Sequence, residues 1–334
     1  MATPTDDHIY QEAQLAPMTV EQINELTRAA RAQPPSADQT HVLVPDGEDP
    51  WVISHEGQLY YCTVDRLKRK ILVARFSRLE DMAAAELVEV WPGLQGATPE
   101  FVEIWAPELQ LIDGQWYVYF ALYNARLGEE RLYALQAISA DPQGEYEFKG
   151  RLEVPTDRWA IDGTVLRLDD GQLYFLWSGW EGFENVSQNI YIARLSNPWT
   201  ISSDRVCISR PEHDWEKQGY PHVNEGPQVL QRQGRTFVIY SASGSWTDDY
   251  CLGQLTFLGG DPLSPAAWRK EPRPVFAKTS TIFGPGHASF VELQGQDYII
   301  YHAARRSQAG WARQIRYKPF SWRADGSPDF GEPL

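Results

Sequence analysis

The sequence has little of what several protein classes require. Only three of its 334 residues are cysteines, and none form a C-x-x-C pair, which excludes a disulfide framework and a zinc ribbon. The chain has no run of Lys and Arg and carries a net charge of −15, so we expect no nucleic-acid partner and no anionic membrane partner. No apolar run is long enough to cross a bilayer.

Aromatic side chains, by contrast, are abundant. Trp, Tyr and Phe make up 13% of the chain, and 43% of all residues are hydrophobic. That composition can fill a large core and excludes intrinsic disorder. Aromatic rings pack well inside β-structure, and they also stack on sugar rings.

The N-terminal region is predicted to contain one helix. Thr19-Val-Glu-Gln22 reads as a capping box, and apolar residues then follow at helical spacing on one face. We predict a helix over 20–32 that packs on the outside of the main domain. The first residues lack the basic and apolar regions of a secretory signal, so we expect a cytoplasmic protein.

A repeat of about sixty residues follows the helix. Five segments combine a polar turn, a glycine and an alternating aromatic-rich run, with successive glycines 57, 57, 63 and 61 residues apart. Each glycine suits a hairpin position with positive φ. The glycines are Gly57, Gly114, Gly171, Gly234 and Gly295.

Each repeat has room for four short strands, which predicts an all-β five-bladed β-propeller over residues 41–334, with residues 1–40 as a helical extension. A pair of β-sandwiches is the alternative, which the even spacing of the hairpins disfavours. The period of two residues excludes a helical solenoid.

Polar residues recur at one position of this repeat. The first strand of each propeller blade lines the central channel, so residues at its start converge at one mouth. Asp49 before Pro50 could merely begin a turn, as could Asp162 before Gly163. Three carboxylates in one register are harder to attribute to folding alone. Eight or nine residues before the five glycines stand Asp49, Trp105, Asp162, Glu225 and His287.

Carboxyl groups arranged in this way suit glycoside hydrolysis. One carboxylic acid protonates the leaving oxygen, while a carboxylate activates water on the opposite face of the sugar. An inverting pair is separated by roughly 6.5–9.5 Å to leave room for that water. A third carboxylate would raise the pKa of the acid through repulsion between like charges.

Several stretches then carry a family resemblance from about residue 42 to the C-terminus. They include Asp49-Pro-Trp-Val52, Ile104-Trp-Ala-Pro-Glu-Leu109, Trp177-Ser-Gly-Trp-Glu-Gly182, Asn224-Glu-Gly-Pro227, Gly284-Pro-Gly-His287 and Asp325-Gly-Ser-Pro-Asp-Phe-Gly331. In this order they resemble glycoside hydrolase family 43, and most of all its exo-acting α-L-arabinofuranosidase branch. The resemblance implies a five-bladed propeller that hydrolyses with inversion and requires no organic cofactor.

The resemblance also implies roles for individual residues. Asp49 is expected to be the general base and Glu225 the general acid. Asp162 is expected to tune the pKa of Glu225 and to orient it. Trp105 is expected to form a wall of the pocket for the terminal sugar.

Other positions are expected at the edge of this site. His287 matches an axial histidine that in the family often holds water or an ion, Ca²⁺ or Na⁺, and we expect no certain direct metal site. Arg316 matches an arginine of the last blade, with Arg313 as the competing assignment. Glu48 departs from the family, which usually has a small residue before the base. Weaker candidates for lining the mouth of the site and contacting or stacking on sugars are Trp51, Trp180, Glu181, Trp246 and Tyr250.

The leading functional hypothesis is an inverting exo-glycosidase that releases L-arabinofuranose from α-1,5-linked arabinan or arabino-oligosaccharides. A β-xylosidase or an endo-arabinanase on the same fold is one alternative, and a non-catalytic carbohydrate-binding propeller is another. A binding module would not need three carboxylates in register. The sequence leaves the oligomeric state open.

Overall fold

The computed structural model describes residues 18–34, 39–94, 101–124 and 128–334. Strands dominate this part of the chain, which confirms the all-β expectation. One α-helix, α1, spans Val20–Arg31. Short 3-10 helices lie at Leu79–Ala84, Asp214–Glu216 and Pro265–Ala267. Among the described residues, no helix combines the length and apolar character that crossing a membrane requires.

The predicted helix is confirmed to within one residue. Thr19 and Gln22 form the capping box that the sequence indicated. The buried face of α1 packs on the loop before the last long strand, where Thr27 Oγ1 accepts a hydrogen bond of 2.9 Å from the backbone N–H of Trp311. The helix therefore lies on the outside of the β-structure, as expected.

The strands form antiparallel meanders. The first sheet contains β2 (Trp51–His55), β3 (Gln58–Val64), β4 (Ile71–Phe76) and β5 (Leu87–Trp91). The second contains β6 (Phe101–Ile112), β7 (Gln115–Asn124), β8 (Glu129–Ala137) and β9 (Tyr146–Arg151).

The next sheet joins two meanders through a parallel pairing of two strands, with Ser187 opposite His222. Its first half contains β10 (Ala160–Arg167), β11 (Leu173–Trp180), β12 (Ser187–Asn197), β13 (Thr200–Ile201) and β14 (Val206–Ser209). Its second half contains β15 (His222–Arg232), β16 (Arg235–Ala242), β17 (Cys251–Phe257) and β18 (Trp268–Lys270).

The last sheet is completed by a strand from the beginning of the domain. β19 (Phe283–Leu293), β20 (Gln296–Ala304), β21 (Arg313–Trp322) and β22 (Pro328–Asp329) are joined by β1 (Val42–Val44), which pairs with β21. The described strands thus form five meanders in four hydrogen-bonded sheets. The glycine of each predicted hairpin has a positive φ, between 72° and 81°.

The hydrophobic core consists of clusters between consecutive meanders. Trp116 and Trp177 belong to two of these clusters and are almost fully buried. One further cluster joins the fifth meander, through Ile300, to the first meander, through Val52. Because each meander buries one face against the next, the starts of their first strands are held near one another.

Candidate active site

One edge of the meanders carries the polar residues that the repeat predicts. In an antiparallel hairpin the start of the first strand lies beside the end of the second, and the loop to the third strand opens at that same edge. Glu225 pairs with Ser241 near the end of β16, and Trp105 pairs with Ala121 in β7. The first strands and these loops therefore contribute side chains to one site.

The backbone at this edge is irregular. The pairing register shifts immediately after Trp105 and Glu225. Asp49, Asp162 and His287 have φ values of 47°, 56° and 47°, which are uncommon for residues other than glycine. Such bulges redirect side chains, and a strained backbone of this kind is typical of functional sites.

Asp49 is surrounded by basic side chains. Its Oδ1 lies 3.2 Å from Nδ1 of His287, 3.3 Å from Nδ1 of His302 and 3.5 Å from Nη1 of Arg313. Burial raises the pKa of Asp49, but these three groups outweigh it and hold the pKa well below its ordinary value. Asp49 is therefore ionised at neutral pH, and its side chain is 24% exposed, so water can reach it.

His302 is a residue beside Asp49 that the sequence pattern did not indicate. The backbone N–H of Asp49 donates to its Nδ1 at 3.1 Å. Burial, and then the charge of Arg313, lower the pKa of His302 to about 4, so the ring is neutral at neutral pH. His302 lies in β20, opposite Gly286. The repeated position in the sequence lies at the start of the first strand of each meander, so it could not identify a residue of a second strand.

Glu225 and Asp162 form a buried carboxyl pair. Burial, and then the charge of Asp49, raise the pKa of Glu225 to about 7, although Tyr250 donates a hydrogen bond of 2.7 Å to its Oε1. Burial, and then the charge of Glu225, raise the pKa of Asp162 well above its ordinary value. The two carboxyls titrate together, and the pair retains a proton at neutral pH.

Asp162 is tied to the acid through the backbone. Its Oδ2 accepts a hydrogen bond of 2.9 Å from the N–H of Gly226, the residue after Glu225. Gly226 has a φ of 53°, and a Cβ there would lie only 3.2 Å from Nδ1 of His287. A glycine at this position adopts the positive φ without strain and leaves room for the ring of His287 beside the acid.

Of the two arginine candidates, the structure places Arg313, and not Arg316, beside Asp49. Arg313 lies beside Asp49, and its Nη2 donates to the carbonyl of Ser245 at 3.2 Å. Arg316 instead donates through Nε to the carbonyl of Leu334, at the C-terminus. Side chains alternate along a strand, so residues three apart in β21 face opposite sides and cannot share one site.

Comparison with known proteins identifies the family. The sequence profile of Glycosyl hydrolases family 43 matches residues 40–328. The chain belongs to this family. This match confirms the resemblance that the sequence indicated. The family consists of enzymes that cleave glycosidic bonds, and that chemistry agrees with the carboxyl groups described above.

Individual family 43 proteins are similar over most of the chain. An extracellular exo-α-(1→5)-L-arabinofuranosidase from Streptomyces avermitilis is 36% identical over 90% of this chain. One of the same name from Streptomyces chartreusis is 34% identical over 82% of this chain and 85% of its own length. The crystal structure of an α-L-arabinofuranosidase from Lactobacillus brevis is 32% identical, with a TM-score of 0.79, over 89% of this chain and 98% of that one. The chain spans only 64% of the Streptomyces avermitilis protein.

The predicted tryptophans of the family 43 site differ in their surroundings. Trp105 Nε1 donates to Glu103 at 2.8 Å, and its half-buried ring lies on the site edge. Trp180 is also half-buried and stacks on Trp159 with ring centroids 5.0 Å apart. Trp51 packs between the first two meanders and donates to the carbonyl of Leu109, so its described contacts are structural.

The remaining candidates, Tyr250, Trp246 and Glu181, also differ in their distance from the carboxyl groups of the site. Tyr250 contacts Glu225 directly, which gives it a place beside the predicted acid. Trp246 meets Trp311 edge to face, with ring centroids 6.4 Å apart, in the loops above Arg313. Glu181 lies 3.8 Å from Arg210 on the exposed surface.

The two arginines supply a matched pair of variants. We expect Arg313→Met to lower kcat/KM by about 10–100-fold, because a charged hydrogen-bonding group beside Asp49 is lost. Arg316→Met is expected to lower the free energy of unfolding by about 1–3 kcal/mol, because the buried guanidinium is lost and the oxygen of Leu334 keeps only the Tyr301 hydroxyl as a donor, while kcat/KM is unchanged. Steady-state kinetics and urea unfolding of both variants distinguish the roles, and the reverse pattern would restore Arg316 to the site.

Proposed function

We propose that the chain is an inverting exo-acting glycoside hydrolase that releases L-arabinofuranose from α-1,5-linked arabinan or arabino-oligosaccharides. One observation carries this proposal. The ionised Asp49 and the proton-bearing Asp162–Glu225 pair lie at one edge of the fold, so the base and the acid are already in opposite protonation states. The names of the relatives supply the proposed substrate class.

The proposed reaction uses these side chains in separate roles. Asp49 takes a proton from a water molecule that attacks the anomeric carbon, while Glu225 donates a proton to the leaving oxygen. Burial and the charge of Asp49 raise the pKa of the acid, and Asp162 orients it through the backbone N–H of Gly226. Attack on the face opposite the leaving group inverts the anomeric configuration.

We further propose that the five meanders are the blades of a closed propeller. Five core clusters support this reading, because each joins one meander to the next and the last joins the fifth to the first. Residues 41–334 would then form the catalytic domain, with residues 1–40 as an extension that carries α1.

The proposed reaction requires no organic cofactor, because side chains carry both proton transfers. Nδ1 of His287 is directed at Asp49, so only its Nε2 could face a water molecule or an ion. The described part of the chain also contains no group of three His, Cys, Asp or Glu side chains arranged around one metal. We propose that any Ca²⁺ or Na⁺ on the axis is held through water, and no step depends on it.

The cytoplasmic location expected from the N-terminus gains no support. The two Streptomyces relatives are named as extracellular enzymes. Secretion is therefore as consistent with the comparisons as a cytoplasmic location, and an arabinan polymer stays among the proposed substrates.

Product analysis tests the proposed activity. Linear α-1,5-arabino-oligosaccharides and xylo-oligosaccharides are incubated in parallel with the wild-type protein and with Glu225→Gln. We expect arabinose alone from the first time point, and its loss in the variant. Mixed arabino-oligomers would indicate an endo-arabinanase, xylose alone a β-xylosidase, and no product from either sugar a binding module.

The pH dependence of activity follows from the two protonation states. The acid must be protonated, so we expect kcat/KM for arabinobiose to fall as the pH rises through about 7, the pKa of Glu225. Because the pKa of Asp49 is well below its ordinary value, activity should persist on the acid side to below pH of about 4. A descending limb that survives unchanged in Glu225→Gln would contradict this assignment.

A further inference from the structure

Glu48 and Lys68 form an ion pair at the edge of the site that the proposed mechanism does not use. Oε1 of Glu48 lies 2.9 Å from Nζ of Lys68, and its Oε2 lies 3.6 Å from Nη1 of Arg313. Glu48 directly precedes the proposed base, at the position where the sequence departs from its family. The carboxylate therefore links two cations beside Asp49.

The turn that carries Lys68 is rigidly built. The Asp65 carboxylate accepts backbone hydrogen bonds from Arg69 at 2.6 Å and Lys70 at 2.8 Å. Lys68 itself has a φ of 52°, and its carbonyl accepts a hydrogen bond from the N–H of Ile104 in β6. A left-handed residue other than glycine is held only where its surroundings determine it, so the position of Lys68 is specified by the fold.

The ammonium of Lys68 retains capacity for a ligand. It has three N–H donors, of which one points to Glu48, and it lies 5.4 Å from the centroid of the Trp105 ring. The side chains of Lys68 and Glu48 are 34% and 29% exposed, so a sugar can reach them from the same edge as Asp49. A hydroxyl group is a suitable acceptor for the remaining donors.

We propose that Lys68 is a substrate-recognition residue, whose ammonium donates a hydrogen bond to a hydroxyl of the terminal pentose on the Asp49 side, and that Glu48 is its positioning residue. This rests on the proposed glycosidase function. The base acts on the face of the terminal sugar opposite the leaving group. A donor beside the base therefore contacts the terminal sugar and not the leaving group.

The negative charge of Glu48 explains how it positions Lys68. Lys68 and Arg313 both carry positive charge and both approach Glu48. Loss of the carboxylate would leave two neighbouring cations that repel each other, and the lysine would turn away from the site. Glu103, which hydrogen-bonds Trp105, adds a further negative charge that faces Lys68.

The test compares Lys68→Met with Lys70→Met. Lys70 lies in the same turn, but its ammonium pairs with Glu89 at 2.5 Å on the exposed face of β5. The substrates are arabinobiose and an aryl α-L-arabinofuranoside with a good leaving group. We expect Lys68→Met to lower kcat/KM by about 10–100-fold, and by the same factor on both substrates. The inhibition constant of free arabinose should rise by a similar factor. Lys70→Met should leave all three values unchanged.

Glu48→Gln provides a second variant that leaves the turn intact. We expect it to weaken arabinose inhibition in the same direction as Lys68→Met but by a smaller factor. Equal kinetics in Lys68→Met and Lys70→Met would overturn the proposal. A loss confined to arabinobiose would also overturn it, because that result places Lys68 on the leaving-group side.

The two proposals can fail separately. If the wild-type protein hydrolyses neither arabinoside, the proposed function fails, and calorimetric titration of arabinose still reports on Lys68. If the wild type hydrolyses both and Lys68→Met retains its arabinose inhibition, only the role of Lys68 fails. Thermal unfolding of each variant shows whether a loss of activity reflects loss of folded protein.

Discussion

Asp49→Asn is expected to lower kcat by about 10⁴-fold on every substrate, whatever the leaving group. The amide cannot accept a proton from the attacking water, and water activation is required however readily the leaving group departs. Both arabinobiose and the aryl arabinofuranoside should therefore lose activity by a similar factor. Steady-state kinetics on the two substrates measure this directly.

Asp46→Asn is the matched control for this variant. Asp46 lies three residues before Asp49 and pairs with Arg31 of α1 at 3.2 Å on the surface. We expect its kcat to equal that of the wild type. Urea unfolding of Asp49→Asn checks that the pocket around His287 and His302 remains folded. A folded Asp49→Asn protein with activity within about tenfold of the wild type would exclude Asp49 as the base.

Glu225→Gln is expected to lose about 10²–10⁴-fold in kcat on arabinobiose and much less on the aryl arabinofuranoside. A sugar alkoxide is a poor leaving group that needs a proton, whereas an activated phenolate leaves without one. The effect should thus depend on the leaving group, in contrast to that of Asp49→Asn. Equal losses on both substrates would contradict the assignment of Glu225 as the acid.

Tyr250→Phe is a control that keeps the carboxyl group and removes one hydrogen bond to it. This hydrogen bond lowers the pKa of Glu225, so its loss should raise that pKa. The descending limb of the pH profile should then move to higher pH, with a smaller loss of kcat than in Glu225→Gln. A limb that moves to lower pH would show that another group controls it.

The sequence by itself determined the features that depend on local pattern. The capping box placed α1 correctly because its hydrogen bonds join residues only three apart. The hairpin glycines marked the five meanders because positive φ is a property of a single turn. Asp49, Asp162 and Glu225 were found together because they stand at the same position of a repeated unit, and one repeat folds like the next.

Only the tertiary structure decided which other groups meet these carboxylates. His302 lies on a second strand, and Lys68 and Tyr250 lie in or beside loops to third strands. None of these positions repeats along the chain. Arg313 and Arg316 are the same residue type in one strand. Only the direction of each side chain on β21 shows which of them lies beside Asp49.

The protonation states also depend on the folded chain. Asp49, Asp162 and Glu225 have similar pKa values as isolated side chains. Burial and the charges brought together at one edge of five meanders separate those values. That separation comes from contacts between residues up to 264 positions apart, such as Asp49 and Arg313, which no local pattern contains.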